Sequence, residues 1–280
     1  MKRDIRTIVD IEQDPGLHRK SINQSVNRKS NFTLPKYHWI PDKLDKRDHP
    51  YHLTNKTPSS IVDLRSYCST IEDQGQLGSC TGNAIAGAIE LMNKKNGKTF
   101  DVSRLFIYYY ERVLEGTVNY DNGAYIRDGI KVCYTYGAPL ESLWPYNISK
   151  FKNAPSPPAL TDAAKRKVTS YQRAADFDAV IDALNNGYPV VVGFNVYSSF
   201  ETTSVARTGY MPYPNTKREK LLGGHAVLIV GYNKNDSMFI VRNSWGASWG
   251  DNGYFYMPFQ VIQNTNMSGD FWVIKSVTSP

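Results

Sequence analysis

The sequence predicts an α+β protein with a helical part, then a β-rich part, and a polar arm ahead of both. Three observations predict it. Between residues 80 and 187 apolar side chains recur at helical spacing in several stretches. After Pro189 the pattern changes to short runs rich in Val, Ile, Phe and Tyr, separated by turn residues. Before residue 61 neither pattern is sustained. Helices followed by strands, without alternation, imply segregated layers and a mostly antiparallel sheet.

The arm, residues 1–60, carries 12 Lys and Arg against 7 Asp and Glu, together with Pro15, Pro35, Pro41, Pro50 and Pro58. Residues 61–280 hold 21 against 19, so most of the chain's net charge of +7 lies in the arm. No dense basic stripe with interleaved aromatics occurs elsewhere, and nucleic acid is not an expected partner. Tyr37, Trp39, Ile40 and Leu44 form a short apolar cluster that needs a surface to dock on. An extended arm fits this composition, and on composition alone a disordered tail fits it equally.

The first helix is expected to start at Cys80 or Thr81 and to run to Lys95, with Ile85, Ile89 and Met92 on one face. Lys94 and Lys95 suit its negative end, and Gly97 follows as a stop. Ser103 caps a second helix through RLFIYYYERVLEG, whose tyrosines read as packing surface. A third helix covers roughly 125–136 and ends at Gly137; a fourth follows Asp176 and ends near Gly187. The expected strands are VVVGFNVY, HAVLIVGY, MFIVRN, GYFYM and FWVIKSV. The helical lobe therefore covers about 80–185 and the β lobe about 186–280.

No stretch approaches the roughly 18 apolar residues of a membrane helix. MKRDIRTIVDIEQ has no apolar signal core, which points to an intracellular or particle-packaged protein. Three cysteines, Cys68, Cys80 and Cys133, allow at most one bridge and supply no clustered metal ligands. No metal or organic cofactor is expected, and neither is a membrane.

Of five histidines, only His225 lies outside the arm, at the start of a strong strand and after two glycines. Cys80 stands at a helix start, where partial positive charge and unpaired N–H groups favour a thiolate. Asn243, on a following strand, offers a side-chain carbonyl to fix the tautomer of a histidine. The amide of Gln74, in the same glycine-rich loop as Cys80, suits the second donor to an oxyanion, beside the Cys80 N–H. Trp245 has the size to cover a His–Asn bond. Each residue alone also has a plain structural reading: a buried cysteine, a strand histidine, a loop glutamine, a core tryptophan.

Together the motifs are specific. QGxxGSC at 74–80, GGHAV at 223–227 and NSWGxxWGxxGY at 243–254, in this order, resemble the papain-like cysteine peptidases. The resemblance runs from about Val62 to the C-terminus. It implies a two-lobed papain-like fold, with a helical lobe, an antiparallel β-barrel-like lobe and a cleft between them. Carried over by position, Cys80 is the nucleophile, His225 the base, Asn243 its orienter, Gln74 the oxyanion donor and Trp245 the cover. Asn122, Gly123 and Ala124 stand where the family holds substrate backbone. Gly193, Gly223 and Gly224 line the pocket for the substrate's second residue, with Asp270 or Phe271 near its floor.

Two departures stand out: Thr81 replaces the family's tryptophan after the nucleophile, and Leu77 replaces a cysteine. Thr81 removes an aromatic wall on the leaving-group side of the cleft. PVVVGFNVYSSF and GGHAV look most like cathepsin B, yet no Cys- and His-bearing occluding insertion is present, which favours endopeptidase action. The partner implied is a peptide or protein substrate, acted on by a monomer. A transpeptidase or ligase, or a non-catalytic peptide-binding protein of this fold, would share the same motifs. By position the first sixty residues resemble an inhibitory pro-segment. Tyr37 to Leu44 are expected over the cleft, with release by cleavage between about 49 and 62. His18, His38, His49 and His52 would weaken docking on protonation, or are solvated bystanders.

Overall fold

A computed structural model describes residues 37–54 and 56–278; within it Pro35–Pro280 form one compact unit. Its helices are α1 (Cys80–Lys95), α2 (Arg104–Glu115), α3 (Ile126–Thr135), α4 (Pro157–Ala163), α5 (Phe177–Asn185), α6 (Thr203–Thr208) and α7 (Phe259–Gln263). Its strands are β1 (Ile61–Asp63), β2 (Val168–Arg173), β3 (Val190–Tyr197), β4 (Leu221–Asn233), β5 (Met238–Arg242), β6 (Tyr254–Pro258) and β7 (Ser268–Val277). The sheet order is β2-β7-β3-β4-β5-β6, with β1 on β4, and every strand pairing is antiparallel.

The central strands explain why their sequences read as unbroken apolar runs. On β4, Ala226, Leu228 and Val230 pack in the core shared with α1, while Val227 and Ile229 pack in the core of the β lobe. β7 divides in the same way, Trp272 and Ile274 to one side and Phe271 and Val273 to the other. Alternate side chains of a strand point to opposite faces, so a strand buried on both faces must be apolar throughout. The first core holds α1, buried from Cys80 to Asn93. α1 thus lies against the sheet with its first residue beside Ala226, next to His225.

The expected caps form. The Ser103 hydroxyl accepts from the Phe106 N–H at 3.1 Å, and the Asp176 carboxylate accepts from the Ala179 N–H at 3.0 Å. α4, α6, α7 and the two strands β1 and β2 lie outside the expected set. β1 pairs with Gly231–Asn233, extending the edge of β4 beyond Ile229, where its pairing with β3 ends.

Candidate active site

Three chain segments meet at the cleft: the loop that leads into α1, the start of β4, and the turn after β5. His225 Nε2 donates to Asn243 Oδ1 at 2.8 Å, and the Ser244 N–H donates to the same oxygen at 2.9 Å. A carbonyl oxygen only accepts, so this bond places the ring proton on Nε2. The indole of Trp245 stacks on the imidazole with centroids 5.1 Å apart and planes 25° apart. Trp249 meets Trp245 edge-on at 4.9 Å and backs it. His225 and Asn243 are both buried.

Gln74 is buried and held at both ends. Its Oε1 accepts from Ser244 Oγ at 2.6 Å, and its Nε2 donates to the Leu77 carbonyl at 3.0 Å. Its backbone carbonyl accepts from Tyr146 Oη at 2.8 Å. Ser244 therefore decides which way the Gln74 amide faces. Sequence reasoning missed this role, although Ser244 lies inside the NSWG motif.

Cys80 is completely buried. Burial pushes its thiol up to about 11, against the opposing backbone hydrogen bonds from Ala226, His38 and Thr81. The helix start alone suggests a lowered value; desolvation outweighs it because the arm covers the sulfur. Thr81 does not face the cleft. It donates to Glu111 Oε2 at 2.7 Å, inside the helical lobe. Burial there raises the Glu111 carboxyl well above the usual range. The residue that replaces the family's tryptophan thus serves the interior.

The arm crosses this site. Tyr37 lies against His225 at 5.8 Å and Trp245 at 5.7 Å, and its hydroxyl donates to Glu201 Oε1 at 2.6 Å. His38 passes so close to Gly123 that a Cβ there would lie 1.7 Å from its carbonyl oxygen. The Trp39 N–H donates to the Gly224 carbonyl at 2.8 Å, and the Ile40 N–H to the Ala124 carbonyl at 3.3 Å. The Trp39 indole fills the pocket that Gly193 and Gly224 line, and its Nε1 donates to Asp270 Oδ2 at 3.1 Å. Asn122 is exposed beside Gly123 and Ala124. Of the two candidates for the pocket floor, Asp270 bonds to Trp39, and Phe271 packs in the β-lobe core.

Leu44 departs from expectation: it is 97% exposed. The docked stretch ends at Asp42, whose N–H donates to Asp270 Oδ2 at 2.7 Å and whose carboxylate accepts from Trp272 Nε1 at 2.8 Å. The chain then turns outward. His18 lies outside the described residues. Cys68, Cys80 and Cys133 form no disulfide, and no cluster of metal-ligating side chains occurs among the described residues.

A buried cysteine at a helix start, beside a His–Asn pair and between a helical layer and an antiparallel sheet, defines one class of protein. A model of the papain family of cysteine proteases matches residues 58–271, and the chain belongs to that family. It is 41% identical over 273 residues to an uncharacterized peptidase C1-like protein of Acanthamoeba polyphaga mimivirus, covering 86% of this chain and 87% of that one. It is 32% identical over 226 residues to cysteine proteinase 3 of Entamoeba histolytica, covering 76% of this chain and 66% of that one. The crystal structure of xylellain, a cysteine protease from Xylella fastidiosa, superposes with a TM-score of 0.83 at 40% identity, covering 90% of this chain and 99% of that one. Relatives named cathepsin B-like and cathepsin L-like both occur, so family membership does not single out the cathepsin B branch.

Proposed function

We propose that the chain is a cysteine endopeptidase held latent by its own N-terminal arm. The observation that carries the reading is the His225–Asn243 bond at 2.8 Å under Trp245, with the Cys80 sulfur beside the backbone of Ala226. With Nε2 engaged by Asn243, Nδ1 is the ring nitrogen that exchanges a proton with the thiol. His225 takes the Cys80 proton, and the sulfur attacks a peptide carbonyl. The Cys80 N–H and the Gln74 amide hold the oxyanion; one such donor contributes about 3 kcal/mol. The imidazolium returns its proton to the leaving amine, and a thioester remains on Cys80. Water, deprotonated by His225, then releases the acid and restores the thiol.

The latch reading rests on direction as well as position. A substrate of this family places the residue that fills the Gly193–Gly224 pocket before the residue whose carbonyl is attacked. In the arm the pocket residue, Trp39, comes after His38, whose backbone faces the sulfur. The arm therefore crosses in reverse and presents no peptide bond for attack, while its burial keeps the thiol protonated. Asp270 on the pocket floor favours a substrate side chain that is apolar along its length and carries a donor at its end, as Trp39 does.

The test is hydrolysis of an unfolded protein such as reduced casein, followed by mass spectrometry of the products. Internal fragments that disappear in Cys80→Ser and His225→Ala chains are expected. Products shortened only at their ends would reject endopeptidase action. Hydrolysis that persists in Cys80→Ser would reject the nucleophile.

A further inference from the structure

We propose that Arg173 of β2 is a specificity-determining residue: its ion pair with Asp270 makes the Gly193–Gly224 pocket select an uncharged side chain that donates a hydrogen bond, and turn away lysine and arginine. The inference rests on the reading of the cleft as the substrate site of a peptidase and deepens it. It narrows the donor that Asp270 favours to one without a charge.

The backbone is bent to bring this carboxylate to the pocket. Val191 pairs with Trp272 and Gly193 with Gly269, so Asp270 and Phe271 of β7 stand opposite Val192 alone. Such a bulge re-aims a side chain. Asp270 itself has a φ of 56°, a left-handed conformation that a residue with a Cβ adopts at a cost. It is buried, and it bonds to the indole for which Gly193 and Gly224 leave room.

The two oxygens of Asp270 have separate partners. Oδ1 accepts from Arg173 Nη2 at 2.7 Å. Oδ2 accepts from Trp39 Nε1 at 3.1 Å and from the Asp42 N–H at 2.7 Å, both in the arm. When the arm leaves, Oδ2 is the oxygen that meets a substrate, and Oδ1 stays with the guanidinium. The other side of that guanidinium is held too. Arg173 Nη1 donates to Asp48 Oδ2 at 2.8 Å, and Asp48 also accepts from Arg127 Nε at 2.8 Å and Nη2 at 2.7 Å. Arg173 pairs across the strands with Trp272, its guanidinium carbon 5.5 Å from the centre of the indole. A planar fork bonded on two sides and lying by an aromatic ring keeps one position.

The charges of this cluster balance. Asp48 and Asp270 supply two negative charges, Arg127 and Arg173 two positive, once Asp42 has left with the arm. A lysine or arginine side chain in the pocket brings a third cation to a buried carboxylate that is already matched. Like charges placed side by side away from water are costly, and one added hydrogen bond does not offset the loss of hydration. An indole, amide or hydroxyl donates to Oδ2 without bringing charge. The pocket thus discriminates by repulsion as well as by attraction.

The experiment has two parts. In the first, the full chain is given three peptides in one mixture, identical except for Trp, Lys or Arg at the residue before the one whose carbonyl is attacked. The ratio of their rates does not depend on how much of the chain is open. The Trp peptide is expected to be consumed at least about fivefold faster than either basic one. Arg173→Gln should shift that ratio toward the basic peptides by at least about fivefold, and the charge-retaining Arg173→Lys by less than about twofold. A smaller preference, a smaller shift in Arg173→Gln, or a larger one in Arg173→Lys overturns the proposal. The second part needs no turnover and uses residue 39 as the pocket's occupant, in the full chain carrying Cys80→Ser. Amide hydrogen exchange of residues 38–42 is compared between Trp39→Lys and Trp39→Met. Exchange at least about fivefold faster in Trp39→Lys is expected, with the difference abolished by Arg173→Gln. A smaller difference with Arg173 in place overturns the proposal, and this comparison stands whether or not Arg173→Gln folds. A chain that hydrolyses neither the peptides nor casein fails the peptidase reading instead, and the exchange comparison then decides the charge selection of the pocket.

Discussion

Trp39 and Gly193 compete for one space: a Cβ on Gly193 would lie 1.9 Å from Cε2 of the indole. The fit buries the Trp39 indole against the glycines that line the pocket. Exposing a side chain of this size costs about 2 kcal/mol or more, roughly a thirtyfold change in the docking equilibrium. Trp39→Ala in the full chain should therefore raise turnover of a short peptide by at least tenfold, with KM for that peptide lowered or unchanged. Turnover equal to that of the unmodified chain would remove Trp39 from the latch.

Ser244 Oγ donates to Gln74 Oε1 at 2.6 Å, so the proposed oxyanion donor depends on a residue that touches no substrate atom in the proposed mechanism. Ser244→Ala leaves a buried acceptor unsatisfied, at a cost of about 1–3 kcal/mol. The expected result is a kcat about tenfold lower with KM within twofold, a smaller loss than the 10² to 10³ expected for Gln74→Ala. Thermal unfolding measured in parallel separates misorientation from misfolding. An equal fall in kcat for both variants at unchanged melting temperature would contradict a merely orienting role.

The arm's acidic contact sets the sign of its pH response. Burial, and then the neighbouring Asp270 carboxylate, push Asp42 up to about 7; its bonds to Trp272 and the charge and N–H of Arg127 oppose this only in part. Asp270 is raised as well, chiefly by burial, with Arg173, Arg127 and the Trp39 indole facing it. A free Asp titrates near 4. The docked arm thus holds its proton more tightly than the released arm. The contribution to docking is fully present below about 4 and is lost as pH rises through about 7. The full chain should be more latent at pH 5 than at pH 8, and Asp42→Asn, fixed in the neutral form, should stay latent at both. The measurement is the ratio of thiol labelling rates of the two chains against pH, which cancels ionisation of the thiol itself. A flat ratio, or one that rises toward acid, would contradict this assignment.

Much of this architecture was legible in the sequence because burial leaves a period. α1, α2, α3 and α5 carry helical spacing with caps at Ser103 and Asp176. β3 to β7 read as apolar runs because both faces are covered. What escaped is short or depends on distant partners. β1 has three residues, too few to show alternation, and α4 has seven, marked only by Ser156 before two prolines. The position of β7 between β2 and β3 follows from no local signal. The same holds at the site. The cysteine, histidine, asparagine and glutamine stood out by motif, whereas Ser244 on Gln74, Thr81 on Glu111 and Asp48 on Arg127 and Arg173 exist only once the chain has folded. The aromatic cluster of the arm was visible, but its extent was not: Trp39 docks and Leu44 does not.

The most direct test of the account is the site and rate of alkylation by an epoxysuccinyl thiol reagent, read by peptide mapping in the unmodified full chain and in Trp39→Ala. An adduct confined to Cys80, formed at least tenfold faster in Trp39→Ala, is the expected result. Alkylation of Cys68 or Cys133 with Cys80 untouched in both chains would contradict the central claim that Cys80 is a working nucleophile beneath a removable arm.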